Sequence, residues 1–433
     1  MRVTKDNIHV WTYLAVFLPL LYRFFTENFG MSYIFMPLFD VFVWGIIFLA
    51  IRLRRGRLNK SDIDIWIWFI LFLLVMFMSI FINEGTSVAN FFYEFRPYLR
   101  MILGVLLGTL TLSIVYIDIF YYIVTWLMRI NFLVMLYQFA VMGLRKDYVG
   151  GTFGNTQGCN SIQNILCVFV FSISLVRFLY HKLSISDLMI NFLTTMGISV
   201  LAEINMFFFE MIIIMVMAIL LNVHISKKIM KRKTLLIFGG GLAVLGGLSL
   251  FLMLNPDRLF LLSINNILDY LGAGSGSGVY RISRVKVFPQ LGNLFFDSIK
   301  DWLFGFGVGN CSTHSEFYKL NSVLQYDYFS SSMVFLQTGI FGVMVNLGVI
   351  LYSALQSVCM KKVIHDVRRL IWIDSSAILA VIMLIMFFYN STLRDTFTGF
   401  LSGVMLSIIY IIKKDKNGEK NNEGMYLIHA KSI

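Results

Sequence analysis

The side chains that could take a proton from a hydroxyl are Glu203, His314, Glu316 and Asp327. A carboxylate or imidazole does this when it lies within hydrogen-bond reach. The cations that could hold an anionic group are Arg96, Arg100, Arg281, Arg284 and Lys286. Guanidinium groups grip phosphate oxygens in a bidentate fork. Arg281 and Arg284, spaced i, i+3, would share a face if their segment is helical. The chain has no Asp-x-Asp, no convincing carboxylate cluster, and no Cys or His group at metal-ligand spacing. No metal or other cofactor is therefore expected.

Each candidate also has a plainer role. Asp327 precedes an apolar run, where a negative charge favours the helix dipole. Glu203 closes another such run, where a carboxylate is costly unless it faces a cavity or a cation. His314 and Glu316 lie in a polar stretch open to solvent. Arg281, Arg284 and Lys286 could be loop cations facing water or lipid headgroups, and Arg96 and Arg100 could snorkel to headgroups. Asp40 and Arg129 fall inside apolar runs and could pair across helices.

The elements that position these residues follow from composition. Hydrophobic residues make up 58% of the 433 and charged residues only 14%, whereas a soluble domain carries about 25% charged residues. One globule cannot hide that much apolar surface, so lipid must serve as a second apolar solvent. A soluble enzyme, a disulfide scaffold and a disordered chain are excluded. The expected fold is an all-α integral membrane protein. About twelve apolar stretches are long enough to span, near 9–26, 31–51, 64–83, 98–117, 119–143, 161–180, 187–203, 206–222, 234–254, 331–355, 370–389 and 397–412. The least certain breaks are those at 117–119 and 203–206.

The net charge of +12 reads as topology rather than nucleic-acid binding. The dense clusters Arg52–Arg57 and Lys227–Lys233 fall on one side, which the positive-inside rule makes cytoplasmic together with both termini. The first apolar stretch holds Arg23 and lacks a small-residue cleavage site, so it is expected to remain as a span. The organisation is then 1–254 with the first nine spans, a large extracytoplasmic loop at 255–330, spans again at 331–412, and a polar, mobile cytoplasmic tail at 413–433. Within the loop, Leu259–Leu271 reads as an amphipathic helix, Gly272–Gly278 as flexible, and Val279–Phe295 as helical by its spacing. Cys159 and Cys311 fall on the outer side and could pair. The glycines at 239–241, 246 and 247 read as close helix packing, not as a phosphate loop.

Several motifs occur in a recognisable order. Gly274-Ser-Gly-Ser-Gly278 precedes Arg281, a Gly-x-Gly-x-Gly run follows at Gly305–Gly309, and the next span opens on Gly339-Ile-Phe-Gly342. An earlier turn reads Gly151-Thr-Phe-Gly-Asn155. Over roughly residues 150–345 the chain resembles the O-antigen polymerase and ligase superfamily of integral membrane glycosyltransferases. Ligases carry a His upstream of the Gly-x-x-Gly; here Asp327 stands at that spacing, which points to a polymerase. Family members also carry a base after the span matching 187–203, where this chain has Ala202-Glu-Ile-Asn205.

The resemblance implies transfer of a sugar chain from polyprenyl diphosphate to a hydroxyl of another lipid-linked unit, at the outer face of a bacterial cytoplasmic membrane. The product would be O-antigen, capsule or exopolysaccharide. Arg281 foremost, with Arg284, Lys286, Arg96 and Arg100, would stabilise the departing diphosphate, and Asp327, Glu203, His314 or Glu316 would act as the base. Membrane lipid, a flippase and a chain-length regulator of the same pathway would be its partners, and nucleic acid would not. A ligase, or a flippase for lipid-linked oligosaccharide, is the alternative. No matching halves are visible, which disfavours a repeat-built transporter.

Overall fold

The computed structural model describes residues 4, 7–54, 60–83, 87–155, 158–222, 239, 241–254, 282–396 and 398–430. They are mostly helical, with no strand among them. In chain order the helices are α1 (Ile8–Phe29), α2 (Met36–Leu53), α3 (Lys60–Ile82), α4 (Val88–Thr111), α5 (Ile114–Ala140), α6 (Cys159–Leu179), α7 (Ile185–Leu201), α8 (Asn205–Leu221) and α9 (Gly241–Leu254). Three short helices follow, α10 (Val287–Phe295), α11 (Ile299–Phe304) and α12 (Glu316–Asn321). The last three are long: α13 (Ser330–Lys361), α14 (Val367–Tyr389) and α15 (Gly399–Ala430). Of these, 7 are long and apolar enough to cross a membrane: α1, α2, α3, α5, α6, α13 and α14. The chain is a multi-pass helical membrane protein.

Helix α6 is the buried axis of the body, enclosed along its whole length. A helix apolar on every side must be covered on every side, by protein or by lipid. Helices α4 and α15 cross closely through a Gly-x-x-x-Gly in each, Gly104/Gly108 and Gly399/Gly403. A Cβ on Gly104 would lie 2.9 Å from the Gly403 Cα. Small residues permit this approach where no hydrophobic effect drives helices together. In the predicted run at 239–247, Gly247 packs tightly on Met196, whereas nothing lies within 4 Å of a Cβ placed on Gly246.

Several boundaries differ from expectation. Helix α4 starts at Val88 and ends at Thr111, so the break falls at Leu112-Ser113 rather than 117–119. Its charged first half is helical because Glu94 and Arg100 are buried and paired. Helix α15 continues to Ala430, so 413–430 is helix rather than a separate tail. Lys413 joins it to Asp64 and Lys414 to the Thr109 carbonyl. None of the four cysteines forms a disulfide. Cys159 and Cys311 are each turned to a backbone carbonyl, those of Phe153 and Leu336, and do not pair.

Several charges in the body are paired. Asp118 binds Arg177 and Arg368, Asp374 binds Lys361, and Arg129 is held by Asn191 at 2.8 Å. Arg129 thus pairs across helices with Asp187 of α7, and Asp40 with Arg100 of α4. The opposite end of the bundle gathers the connections 30–35, 141–158, 202–204, 282–329 and 390–398.

Candidate functional site

At this connection-rich end, Gly339 interrupts α13 with φ 61° and ψ −158°. The break frees the carbonyls of Leu336 and Gln337. They are taken up by the Gly305–Gly309 run: Phe306 N donates to Leu336 O at 2.8 Å and Gly307 N to Gln337 O at 3.0 Å. Asn83, just past α3, donates to Gly305 O at 2.9 Å. Non-helical backbone at membrane depth is tolerated only where protein satisfies it. The two glycine motifs read from the sequence are thus one structural joint.

The joint presents Gln337 to a buried charge cluster. Arg394 Nη2 lies 2.5 Å from Glu94 Oε2, and the Gln337 amide donates to the same oxygen at 3.1 Å. Arg394 Nη2 also donates to Gln337 Oε1 at 3.2 Å. Beside them, Arg100 forks onto Asp40, through Nε at 3.1 Å and Nη2 at 3.3 Å, and its Nη1 donates to the Arg394 carbonyl at 3.1 Å. Arg96, less buried, reaches Asp40 at 3.4 Å. Arg96 and Arg100 therefore belong to a cluster and do not snorkel.

Asp327 lies near this cluster. It sits in the 3-10 turn Tyr326–Tyr328, within electrostatic range of Arg394 and Glu94. The Tyr318 hydroxyl donates to it at 3.4 Å, and its Oδ1 has no partner among the described residues. Burial pushes its carboxyl above the usual range, and the same burial raises the Tyr326 hydroxyl and the Cys311 thiol beside it.

The other candidates are distributed unevenly. His314 is exposed, with its ring edge-on to Tyr93 at 4.1 Å, and Arg96 lies over that same Tyr93 ring. Glu316 opens α12 and is exposed. Arg284 stacks on Tyr389 at 4.4 Å and Phe329 at 5.2 Å. Arg284 and Lys286 precede α10, which begins only at Val287, so no helix face unites them. The Ser283 hydroxyl and Gln290 side chain instead hold the backbone there in a bend. Arg281 and the expected helix at Leu259–Leu271 and flexible run at Gly272–Gly278 lie outside the described residues. Glu203 is engaged elsewhere: it occupies a left-handed turn with φ 53° and pairs with Lys146 at 3.6 Å.

Glu94, Gln337 and Arg394 were not foreseen. Arg394 lies in the short polar connection Asn390–Thr398, which reads as a mere link. The one available signal was Arg394-Asp395, a charge pair beside two spans. The turn Gly151–Asn155 borders the same region: Asn155 N donates to Glu27 at 2.6 Å, and Arg23, paired with Glu27, feels Asp395.

No family model matches the chain, and no curated protein does.

Proposed function

We propose that this protein is a membrane glycosyltransferase that joins polyprenyl-diphosphate-linked oligosaccharide units into a surface polysaccharide. In this reading α1–α9 and α13–α15 span the cytoplasmic membrane of a bacterium, both termini are cytoplasmic, and the connection-rich end faces outward with 255–330 as its large loop. The observation that carries the reading is the Arg96–Arg100–Arg394 cluster, which shares Asp40 and Glu94 near Asp327.

The acceptor hydroxyl attacks the anomeric carbon of the donor. The bond from that carbon to the diphosphate oxygen breaks, and the diphosphate leaves with the electron pair. Its developing charge falls on preorganised guanidinium groups, where a water-poor site makes each interaction count for more. The hydroxyl proton passes to Asp327, whose raised basicity suits a general base. Arg284 and Arg281 would extend the cationic surface from the loop.

The test is a profile of lipid-linked and surface glycans from a deletion strain, complemented with the wild type and with Arg96→Ala or Arg281→Ala. Single repeat units accumulating on the carrier and accessible outside support a polymerase. Long chains held on the carrier would make it a ligase. Units trapped on the cytoplasmic side would make it a flippase and overturn the reading.

A further inference from the structure

Among the described residues, the buried carboxylates other than one have a cation. Asp40 has Arg100, Asp62 has Arg54, Glu94 has Arg394, Glu203 has Lys146 and Asp374 has Lys361. The exception is Glu210, in the first half of α8. It is fully enclosed, at 0% exposure, and among the described residues it faces the Asn164 amide but no cation.

Helix α8 packs against α6, α14 and α9. From α6, the polar groups facing Glu210 are Asn164 and the Cys167 thiol. Asn164 Oδ1 is buried without a donor. The titratable groups of α14 are Arg368, Arg369, Asp374 and Tyr389. Of these, Arg368 is tied to Asp118, and Asp374 to Lys361 and the Tyr180 hydroxyl. Helix α9, Gly241–Leu254, has no titratable side chain, and α8 has none besides Glu210. Among the described residues the pocket therefore holds neutral polar groups and no cation. An ionised carboxylate in such surroundings is strongly disfavoured, and it neutralises instead. A proton on the carboxyl also adds a donor beside Asn164, whose Oδ1 is buried without one. Ionisable groups inside a membrane body are functional suspects by default.

We propose that Glu210 is an intramembrane proton-binding site, carrying its proton inside the closed α6–α8 interface and releasing it only when that interface admits water. The inference does not rest on the glycosyltransferase reading. It depends only on what surrounds this one carboxyl.

The experiment uses the full chain in membranes at neutral pH. Infrared difference spectra between wild type and Glu210→Gln should show a protonated-carboxyl carbonyl band, absent from the variant and shifted in heavy water. Dicyclohexylcarbodiimide, which reacts with protonated acids from the apolar phase, should label Glu210, as located by peptide mass spectrometry. The label should be lost as pH rises. A carboxylate band in place of the carbonyl band would overturn the proposal. So would labelling that is insensitive to pH but suppressed by sodium, which would make the site one for a metal cation. Gln mimics the neutral acid, so the variant should insert normally. If it does not, labelling of the unmodified protein against pH decides alone.

Discussion

Gly305 and Gly339 pack backbone to backbone. A Cβ on Gly305 would lie 2.7 Å from Gly339 N, and one on Gly339 would lie 2.5 Å from Phe304 N. Both have positive φ with ψ near ±160° (66°, −161° and 61°, −158°), a region open almost only to glycine. Gly305→Ala and Gly339→Ala should each destabilise the protein by ~1–3 kcal/mol from strain alone, with the contact adding to that. Because the two share one contact, the double variant should cost less than the sum. Thermal unfolding in detergent measures this. Gly45→Ala, within α2, is the control, since nothing lies within 4 Å of its Cβ and its φ is not positive.

Arg394 and Glu94 are both buried, and removing one partner of such a pair costs ~3–5 kcal/mol. Arg394→Met should therefore sharply reduce folded protein. Glu94→Gln combined with Arg394→Met should recover much of it, because no charge is then left unpaired. Polymer should stay absent in the recovered double variant. Full polymer there would show that the pair only supports the fold.

Helices such as α6 and α14 were legible because a long apolar run in a membrane protein has little alternative. The glycine motifs were legible as motifs, but nothing in them announces that Gly305 seats against Gly339. The pairing depends on a helix break that hydropathy averages over. The start of α4 was missed because Glu94, Arg96 and Arg100 look too charged for a span, and pairing partners distant in sequence are invisible to a local reading. Arg394 was missed for the same reason, since its partners lie on α4 and α13. Asp327 was singled out by the spacing that the family resemblance implies. Its hydrogen bond from Tyr318 and its nearness to Arg394 belong to tertiary structure.

Asp327 makes a pH-dependent prediction. Its carboxyl is raised by burial, so the folded state binds the proton more tightly than the unfolded chain does. The stabilisation that this supplies is full below the unfolded value of about 3.9. It is lost as pH rises through the higher folded value. Catalysis runs the other way, because the base is the carboxylate. Polymer synthesis in isolated membranes should rise with pH through the folded value. Asp327→Asn should abolish synthesis while leaving the protein inserted, and should remove the loss of stability on the alkaline side. Retained synthesis in Asp327→Asn, with loss in His314→Phe, would transfer the role to His314.

Arg96 and Arg100 separate anion binding from support of the fold. Both meet Asp40, but the Arg96 side chain is 24% exposed and the Arg100 side chain only 3%. A partly exposed pair contributes about 0–1 kcal/mol, so Arg96→Ala should insert and unfold much like the wild type. Arg100→Ala strips Asp40 of its bidentate partner and leaves the Arg394 carbonyl short of a donor, so it should lower the yield of folded protein. If the cluster receives a diphosphate, Arg96→Ala should still raise the donor concentration needed for half-maximal synthesis, by about tenfold for each 1.4 kcal/mol of lost binding. Added salt should weaken the wild type toward the variant, as expected for a solvent-accessible charge interaction. An Arg96→Ala protein with unchanged donor dependence at every salt concentration would leave Arg96 as a partner of Asp40 and nothing more.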